Sequence, residues 1–426
     1  MKQKREINME NIKKNFGFGC MRLPMKDGEI DTAEMNRMVD AFLDAGFNYF
    51  DTAHGYLQGK SETALKTCLT SRYPRDRYIL TNKLTANFFK TEADIRPFFE
   101  SQLAACGVDY FDFYLMHAQG LTNYDHFKAC RAYETAFALK AEGKVRHVGI
   151  SFHDRAEVLE QILTEYPEIE VVQIQFNYVD YEDPAVQSRK CYEVCVKHGK
   201  PVIVMEPVKG GNLVNLPEDA KAVLDELYGG SPASYALRFA AGFPGMLMVL
   251  SGMSNMEQMQ DNISFMADFK PLDETELAAV RRVQEIFRSK HLIPCTCCHY
   301  CTDGCPKHIA IPDLFAIMNT KQLSTTTGTR TTTIIPSTRL RDARLPTASS
   351  AASAKRSAHS TCPSASCSRM WQGNLRRRRR PDPAHPVIRA GGEKRPATAK
   401  NADQAFMFSQ NRHSTWRGNC YRIQAC

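Results

Sequence analysis

The 426-residue chain contains no apolar run close to the ~20 residues that a membrane-spanning helix needs. This absence predicts a protein that makes no use of a membrane. The start of the chain, MKQKREINMENIKKNFGFGC, carries positive charge but lacks the apolar segment of a secretory signal. We therefore expect a cytoplasmic location.

Excess basic charge is absent from most of the chain. The formal net charge is +8, but residues 323–426 carry 19 Lys or Arg against 4 Asp or Glu, a net +15. Residues 1–322 carry 36 against 43, a net −7. A basic chain taken whole suggests binding to nucleic acid. Because the excess lies entirely in the last quarter, we expect no nucleic-acid partner.

A dinucleotide fingerprint is also missing, and this bears on the fold class. The eight predicted strands span residues 15–19, 48–53, 78–83, 111–117, 147–151, 171–177, 202–208 and 246–252. Amphipathic helical patterns of crossover length separate them, which predicts a parallel sheet. Eight such units in about this length fit a closed (β/α)₈ TIM barrel. An open doubly wound sheet is the alternative, but no Gly-x-Gly-x-x-Gly follows the first strand.

Polar residues end several of these apolar strands. In a barrel the carboxyl ends of all strands meet at one face, where catalytic side chains lie. The strand-end residues are Asp51, Lys83, His117, Ser151, Asn177 and Glu206.

Tyr56 follows the second strand end by five residues. A lysine ammonium near a tyrosine favours the phenolate and lowers the pKa of that tyrosine. With Lys83 beside it and Asp51 as the counter-ion of Lys83, Tyr56 can exchange a proton with a carbonyl oxygen. His117 would orient that carbonyl or assist the proton transfer. The combination suits carbonyl reduction by hydride from a nicotinamide.

Five stretches resemble the aldo/keto reductase family, and together they cover roughly residues 15–290. They are FDTAHGY (50–56), LTNK (80–83), YLMHA (114–118), GKVRHVGIS (143–151) and LSGMSNMEQMQDN (250–262). The resemblance implies a (β/α)₈ barrel, a small-molecule carbonyl or alcohol substrate, and a nicotinamide cofactor. It also implies a catalytic tetrad of Asp51, Tyr56, Lys83 and His117.

The resemblance implies cofactor contacts as well. Ser151, Gln173 and Asn177 match residues that touch the nicotinamide amide, and Met205 stands where the family often stacks an aromatic ring. Phe152 replaces the asparagine that usually follows the serine. The segment that resembles the adenosine-phosphate loop and helix start supplies Gly252, Met253, Ser254, Gln258, Asp261 and Asn262. Residues 253–262 include no Lys or Arg, which a 2′-phosphate usually requires, so NAD(H) is as well supported as NADP(H).

A cysteine cluster follows the barrel segment. Cys295, Cys298, Cys301 and Cys305, followed by proline, reproduce the Cys-x₂-Cys-x₂-Cys-x₃-Cys-Pro run of bacterial 4Fe-4S ferredoxins. A zinc site that uses His299 or His308 is the alternative, and buried thiols are another.

A subset of aldo/keto reductases resembles this arrangement, with a ferredoxin-like appendage in which a second cysteine quartet follows. Here the cysteines after position 305 lack ligand spacing. The sequence therefore predicts a small, truncated ferredoxin-like iron-sulfur segment.

The last quarter, residues 323–426, loses all helical and strand periodicity. Its composition predicts a disordered basic tail or a nucleic-acid arm. A third hypothesis is a one-nucleotide deletion near codon 323. Every Ala codon begins with GC. When the Ser or Thr codon before it ends in T, the bases TGC across the junction form a cysteine codon in a shifted frame. Such dipeptides begin at Thr347, Ser350, Ser353 and Ser357, and their offsets of 3, 3 and 4 are those of the missing quartet.

The sequence thus predicts three regions, which are a barrel at 1–285, a 4Fe-4S segment at 286–322 and a basic tail at 323–426. We expect an oxidoreductase that couples nicotinamide chemistry on a carbonyl or alcohol to electron transfer through the cluster. Its expected partners are a small-molecule carbonyl substrate and a one-electron redox protein. The alternative is a non-catalytic barrel that binds a ligand, with a purely structural cluster.

Overall fold

The fold is given by a computed structural model that describes residues 12, 13, 15–227, 229–290, 293, 309–312, 314, 315, 318 and 319. Eight parallel strands close into a barrel in the order β1-β10-β9-β8-β7-β6-β5-β4. The predicted (β/α)₈ barrel is therefore confirmed, and the open doubly wound sheet is excluded.

Each predicted strand corresponds to one strand of the barrel. The barrel strands are β1 Phe16–Gly19, β4 Tyr49–Asp51, β5 Ile79–Leu84, β6 Phe111–Gln119, β7 Val145–Phe152, β8 Val171–Gln175, β9 Val202–Met205 and β10 Met246–Gly252. Two further strands, β2 Met25–Lys26 and β3 Glu29–Ile30, form an antiparallel hairpin that the sequence interpretation missed. Asp27 and Gly28 both take positive φ in its two-residue turn, as Asp-Gly does in a tight hairpin.

Helices surround the barrel. They are α1 Thr32–Asp44, α2 Lys60–Leu65, α3 Glu92–Cys106, α4 Tyr124–Ala129, α5 Ala132–Ala141, α6 Ala156–Glu165, α7 Ser188–Lys197, α8 Glu218–Asp225, α9 Pro232–Ala241, α10 Met256–Met266 and α11 Glu274–Ser289. The Asp31 carboxylate caps α1 by accepting from the backbone N–H of Glu34 at 3.0 Å, as its Asp-Thr start predicts. None of the described helices is both long and apolar enough to cross a bilayer.

Side-chain alternation along the strands determines what enters the barrel. The apolar interior consists of Tyr49, Ile79, Phe113, Leu115, Val171, Ile203, Met248 and Leu250. The opposite faces of the strands pack against the helices in a much larger core. Because successive residues of a strand alternate between faces, the residues two positions after Tyr49, Leu115 and Val171 also point inward. These are Asp51, His117 and Gln173, so each of these three inner rows ends in a polar side chain.

The cysteines divide into two groups. Cys20, Cys68, Cys106, Cys130, Cys191 and Cys195 are free and buried. The predicted metal ligands Cys295, Cys298, Cys301 and Cys305 lie outside the described residues, as does the tail at 323–426. Within the part of the chain that the structure describes, no three His, Cys, Asp or Glu side chains are grouped to hold a metal ion.

Candidate active site

A cleft of about 390 Å³ opens at the carboxyl ends of the barrel strands. Asp51, Tyr56 and His117 line it, as do residues of β10 and α10. Ligand sites in such barrels lie at this face, and the cleft is the candidate active site.

Lys83 occupies the centre of the polar group. Its Nζ donates to Asp51 Oδ1 at 2.6 Å, to the carbonyl oxygen of Thr52 at 2.9 Å and to the Tyr56 hydroxyl at 3.2 Å. Lys83 is fully buried and Asp51 is 3% exposed. Burial raises the pKa of the Asp51 carboxyl, while Lys83 acts in the opposite direction. The structure thus brings together three of the four predicted tetrad residues through direct hydrogen bonds.

Gln173 completes the environment of Asp51. Its Nε2 donates to Asp51 Oδ2 at 3.1 Å, although the two residues are 122 positions apart in the chain. Strand β8, which carries Gln173, lies four strands from β4 in the closed barrel order, so this hydrogen bond spans the barrel. Both carboxylate oxygens of Asp51 therefore accept hydrogen bonds from residues that the sequence predicted for the site.

Tyr56 is held by the turn that follows β4. Its backbone N–H donates to the carbonyl oxygen of Ala53 at 3.0 Å. The next residues, Leu57 and Gln58, both take left-handed backbone conformations, with φ of 52° and 59°. Such conformations cost about 1 kcal/mol or more for residues other than glycine, and they tend to occur at functional sites. No sequence signal pointed to them.

A buried polar network supports the other side of Lys83. The Glu62 carboxylate, which is 1% exposed, accepts from Asn82 Nδ2 at 2.8 Å and from Gln102 Nε2 at 3.3 Å. It also pairs with His54 at 2.7 Å, and this interaction raises the pKa of the histidine. Since Asn82 precedes Lys83 in β5 and His54 lies two residues before Tyr56, the network fixes both segments against each other.

His117 lies at the end of the inner row of β6. Its Nδ1 is 2.7 Å from Thr85 Oγ1, and its ring stands edge-on to that of Tyr56 with centroids 6.0 Å apart. Burial, together with the positive charge of Lys83, holds the pKa of His117 well below the usual value for histidine. His117 is therefore a neutral imidazole at pH 7, able to hydrogen-bond a carbonyl oxygen without adding charge.

A second histidine, His153, also lines the cleft. Burial and the nearby Lys83 lower its pKa to about 4. The sequence interpretation missed His153 because it follows β7 rather than ending it, so strand alternation did not place it at the cleft.

The predicted cofactor residues divide between the cleft wall and the structure behind it. On the wall lie Gln173, Met205, Gly252, Ser254, Gln258, Asp261 and Asn262. The cleft-lining residues do not include Ser151, Asn177 or Met253. Ser151 Oγ accepts from the backbone N–H of Ala118, directly after His117, at 2.8 Å. The Asn177 amide donates to Asp180 and to the carbonyl oxygen of Glu206, and it accepts from two backbone N–H groups.

One ion pair across the cleft could not be read from the sequence. Arg22, after β1, lies 3.6 Å from the Glu206 carboxylate, after β9, and both residues line the cleft. Strand β10 lies between β1 and β9, and the stem of Arg22 passes over its last residue, Gly252. A β-carbon at Gly252 would lie 3.5 Å from that of Arg22, which is ordinary contact.

Comparison with known proteins identifies the family. The family model described as "Aldo/keto reductase family" matches residues 15–285. The chain belongs to the aldo/keto reductase family. The resemblance found in the sequence is thereby confirmed for the barrel, as is the prediction that the chain is an oxidoreductase.

Related proteins match over the same region. An aldo-keto reductase of Mycolicibacterium smegmatis is 27% identical over 274 residues, which cover 63% of this chain and 87% of that protein. The NADH-specific methylglyoxal reductase of Escherichia coli is 24% identical over 288 residues, with 57% and 85% covered. Among solved structures, an aldo-keto reductase from Klebsiella pneumoniae in complex with NADPH has a TM-score of 0.53 and 22% identity, covering 63% of this chain and 90% of that one.

Proposed function

We propose that this chain interconverts a small-molecule carbonyl and the corresponding alcohol with a nicotinamide cofactor, with Tyr56 as the acid and base. The observation that carries the proposal is the hydrogen-bonded arrangement of Tyr56, Lys83 and Asp51 at the mouth of an aldo/keto reductase barrel. Relatives named for this type of reduction, and structures that hold NADPH, support the nicotinamide.

The cleft fits such a cofactor. One continuous cavity joins Tyr56 and His117 to the segment between Gly252 and Asn262. The amide of Gln173 and the side chain of Met205 line the wall near the tetrad, where a nicotinamide ring would lie. When bound, the reduced nicotinamide supplies hydride to the carbonyl carbon.

The residues of the chain then manage the proton. Tyr56 donates its hydroxyl proton to the carbonyl oxygen as negative charge develops there, which completes the alcohol. The ammonium of Lys83 stabilises the tyrosinate that remains, and Asp51 balances the charge of Lys83 in a buried setting. Neutral His117 hydrogen-bonds the carbonyl oxygen and directs it towards the tyrosine. In the reverse direction the tyrosinate accepts the alcohol proton.

A kinetic comparison tests the proposal. Reduction of a panel of small aldehydes and ketones is measured with NADH and NADPH for the wild type and for Tyr56→Phe. We expect the variant to lose roughly 10²–10⁴-fold in kcat while it retains nucleotide affinity. Tyr181→Phe, which removes a hydroxyl away from the cleft lining, is the matched control. Unchanged turnover in Tyr56→Phe would reject Tyr56 as the acid and base, whereas no hydride transfer by the wild type would favour a barrel that only binds a ligand.

We also propose that Cys295, Cys298, Cys301 and Cys305 hold a 4Fe-4S cluster that passes electrons singly to a protein partner. The donor set supports this, because four thiols in ferredoxin spacing are the ligands that such a cluster takes. In two-cluster ferredoxins the fourth cysteine of one run ligates the other cluster. The absence of a second quartet is therefore expected to impair cluster assembly in the chain as written.

Metal analysis distinguishes the cluster from zinc. Because assembly is impaired, anaerobically purified protein is expected to contain less than a full complement of iron and acid-labile sulfide, and Cys298→Ser should reduce both severalfold. Cys297→Ser provides the control, since this cysteine lies in the same run but outside the ligand spacing. Zinc without sulfide would reject the iron-sulfur assignment. If the cluster stays intact but no one-electron donor reduces it, its role is structural only.

We also propose the division of the chain into three regions, at 1–285, 286–322 and 323–426. The reading-frame hypothesis for the last region is a further proposal. Sequencing the gene tests the frame directly. If a one-base insertion near codon 323 restores Cys-x₂-Cys-x₂-Cys-x₃-Cys-Pro, the tail is a frameshift product. If no insertion does so, the hypothesis is rejected, and a basic tail remains.

A further inference from the structure

The α10 side of the cleft carries carboxylate and amide groups. Gln258, Asp261 and Asn262 of α10 line it, and the carboxylate of Glu34 reaches the start of α10 from α1. Among the described residues that line the cleft, Arg22 is the only Lys or Arg, and its guanidinium is directed to Glu206. The wall from α10 therefore offers carboxylate and amide groups but no cation.

Three backbone donors around the start of α10, those of Ser254, Met256 and Gln258, are already engaged. Ser254 N–H donates to Gln258 Oε1 at 2.8 Å, and Gln258 N–H donates to Asn255 Oδ1 at 2.9 Å. Met256 N–H donates to Glu34 Oε1 at 2.8 Å. Free N–H groups at a helix start are what make that position attractive to phosphate. Here side chains accept them, and one of those side chains is a carboxylate.

The charge of Glu34 is only partly offset. Its second oxygen accepts from Arg37, one turn further along α1. The Glu34 side chain is 14% exposed, whereas that of Arg37 is 69% exposed. An ion-pair partner this exposed is strongly screened by solvent, so the carboxylate retains most of its repulsion towards a second anion at the helix start.

We propose that the cleft selects NAD(H) over NADP(H), with Glu34 and Asp261 as the specificity-determining residues. The inference rests on the proposed function, in which the cleft binds a nicotinamide dinucleotide. The two cofactors share their diphosphate and differ only at the adenosine ribose, which carries a hydroxyl in one and a phosphate in the other. A carboxylate accepts a hydrogen bond from a ribose hydroxyl, but it repels a phosphate.

Asp261 is placed for the hydroxyl. Its Oδ2 accepts from Ser231 Oγ at 2.6 Å, which holds the carboxylate against the start of α9. Asp261 also lines the cleft, and a carboxylate has room for more than one hydrogen bond. Glu34 disfavours the phosphorylated ribose, because its carboxylate already accepts from the Met256 N–H group that a phosphate would need.

Calorimetric titration of the full chain with NAD⁺ and with NADP⁺ tests the selectivity. We expect the wild type to bind NAD⁺ at least about tenfold more tightly, since a like-charge contact disfavours the phosphorylated ribose. Raising the salt to 1 M shortens the Debye length to about 3 Å, which should narrow this ratio. A selectivity that arose from shape alone would not respond to salt.

Two variants locate the effect. Glu34→Gln is expected to improve NADP⁺ affinity by about threefold or more with little change for NAD⁺. Asp261→Asn should weaken NAD⁺ and strengthen NADP⁺, so that the ratio approaches one. Glu257→Gln is the matched control, because it removes a carboxylate from the exposed first turn of α10 that does not line the cleft. Its ratio should stay within about twofold of the wild type.

The outcomes separate the two proposals. Equal affinities, or tighter NADP⁺ binding by the wild type, would overturn the selectivity and leave the proposed function standing. Binding of neither nucleotide would overturn both. Thermal melting of each variant confirms that it is folded. Should Glu34→Gln loosen α1, Asp261→Asn still decides the matter, because an unchanged ratio in a folded Asp261→Asn would reject its role.

Discussion

Lys83 Nζ donates to the Tyr56 hydroxyl at 3.2 Å, and the same ammonium lies 4.8 Å from the centre of the tyrosine ring. The cation thus contacts the oxygen that would carry the proton. It also contacts the ring, over which the negative charge of the tyrosinate would spread. A lysine in this position stabilises tyrosinate more than tyrosine. This allows the tyrosine to donate a proton in one direction and to accept one in the other.

Breaking the buried ion pair should be costly for stability. Lys83→Met leaves the Asp51 carboxylate buried without its cation, and we expect a loss of about 3–5 kcal/mol in the free energy of unfolding. The double variant with Asp51→Asn should cost less than the sum of the two single changes, since the unpaired charge is then removed. Urea unfolding of the four proteins measures the coupling. For the exposed pair Arg96–Glu142, the same cycle should give less than about 1 kcal/mol.

Thr85 is expected to control the orientation of His117. Thr85→Val removes the oxygen that lies 2.7 Å from His117 Nδ1 and so relaxes the orientation of the ring. We predict a decrease of about tenfold in kcat with a nearly unchanged melting temperature, because misplacement of a positioning group costs rate rather than stability. Thr67→Val, at an exposed helical position, should leave kcat unchanged. Equal decreases in the two variants would argue against the orienting role.

His153 should make the protein sensitive to acid. Its folded pKa of about 4 lies below the value of about 6.5 in the unfolded chain, so the unfolded state takes up the proton first as the pH falls. Stability is therefore complete above about pH 6.5 and declines towards pH 4. Between pH 8 and pH 5 the wild type should lose up to about 2 kcal/mol more than His153→Gln in urea unfolding. If both proteins lose the same amount, another group is responsible.

Gly149 should tolerate no side chain. A β-carbon there would lie 2.5 Å from Val171 Cγ2 and 2.6 Å from the carbonyl oxygen of Val171. We expect Gly149→Ala to lower the free energy of unfolding by about 1–3 kcal/mol, because neighbouring strands would have to separate. Gly55→Ala meets nothing within 4 Å and should change stability by less than about 1 kcal/mol. Denaturant midpoints distinguish the two.

The barrel, and the grouping of Asp51, Lys83 and His117 at its mouth, could be predicted from the sequence for one physical reason. Alternation with a period of two fixes which residues share the inner face of a strand. Once the strands were recognised, the residues that end their inner rows had to meet at one face. Asp51, Lys83 and His117 are such residues, and this is why a local pattern predicted a distant assembly.

The remaining features depend on contacts that no local pattern encodes. Glu34 reaches Met256 across 222 positions of sequence, and Arg22 meets Glu206 across a strand that lies between them in space. The left-handed turn at Leu57 and Gln58 has no glycine to announce it. The cofactor residues inferred by resemblance include Asn177, whose amide is engaged by Asp180 and by the backbone instead of lining the cleft.

The hydrogen bond from Gln173 to Asp51 has a consequence for the order of folding. Loops of 122 residues close at an entropic cost that only later contacts recover, so this bond forms late. Strands β4 and β8 cannot meet across the interior until the ring of strands between them is in place. Asp51 therefore gains its last partner only when the barrel closes. We expect half-formed barrels to lack a finished tetrad, so catalytic competence and native topology should appear in the same kinetic phase.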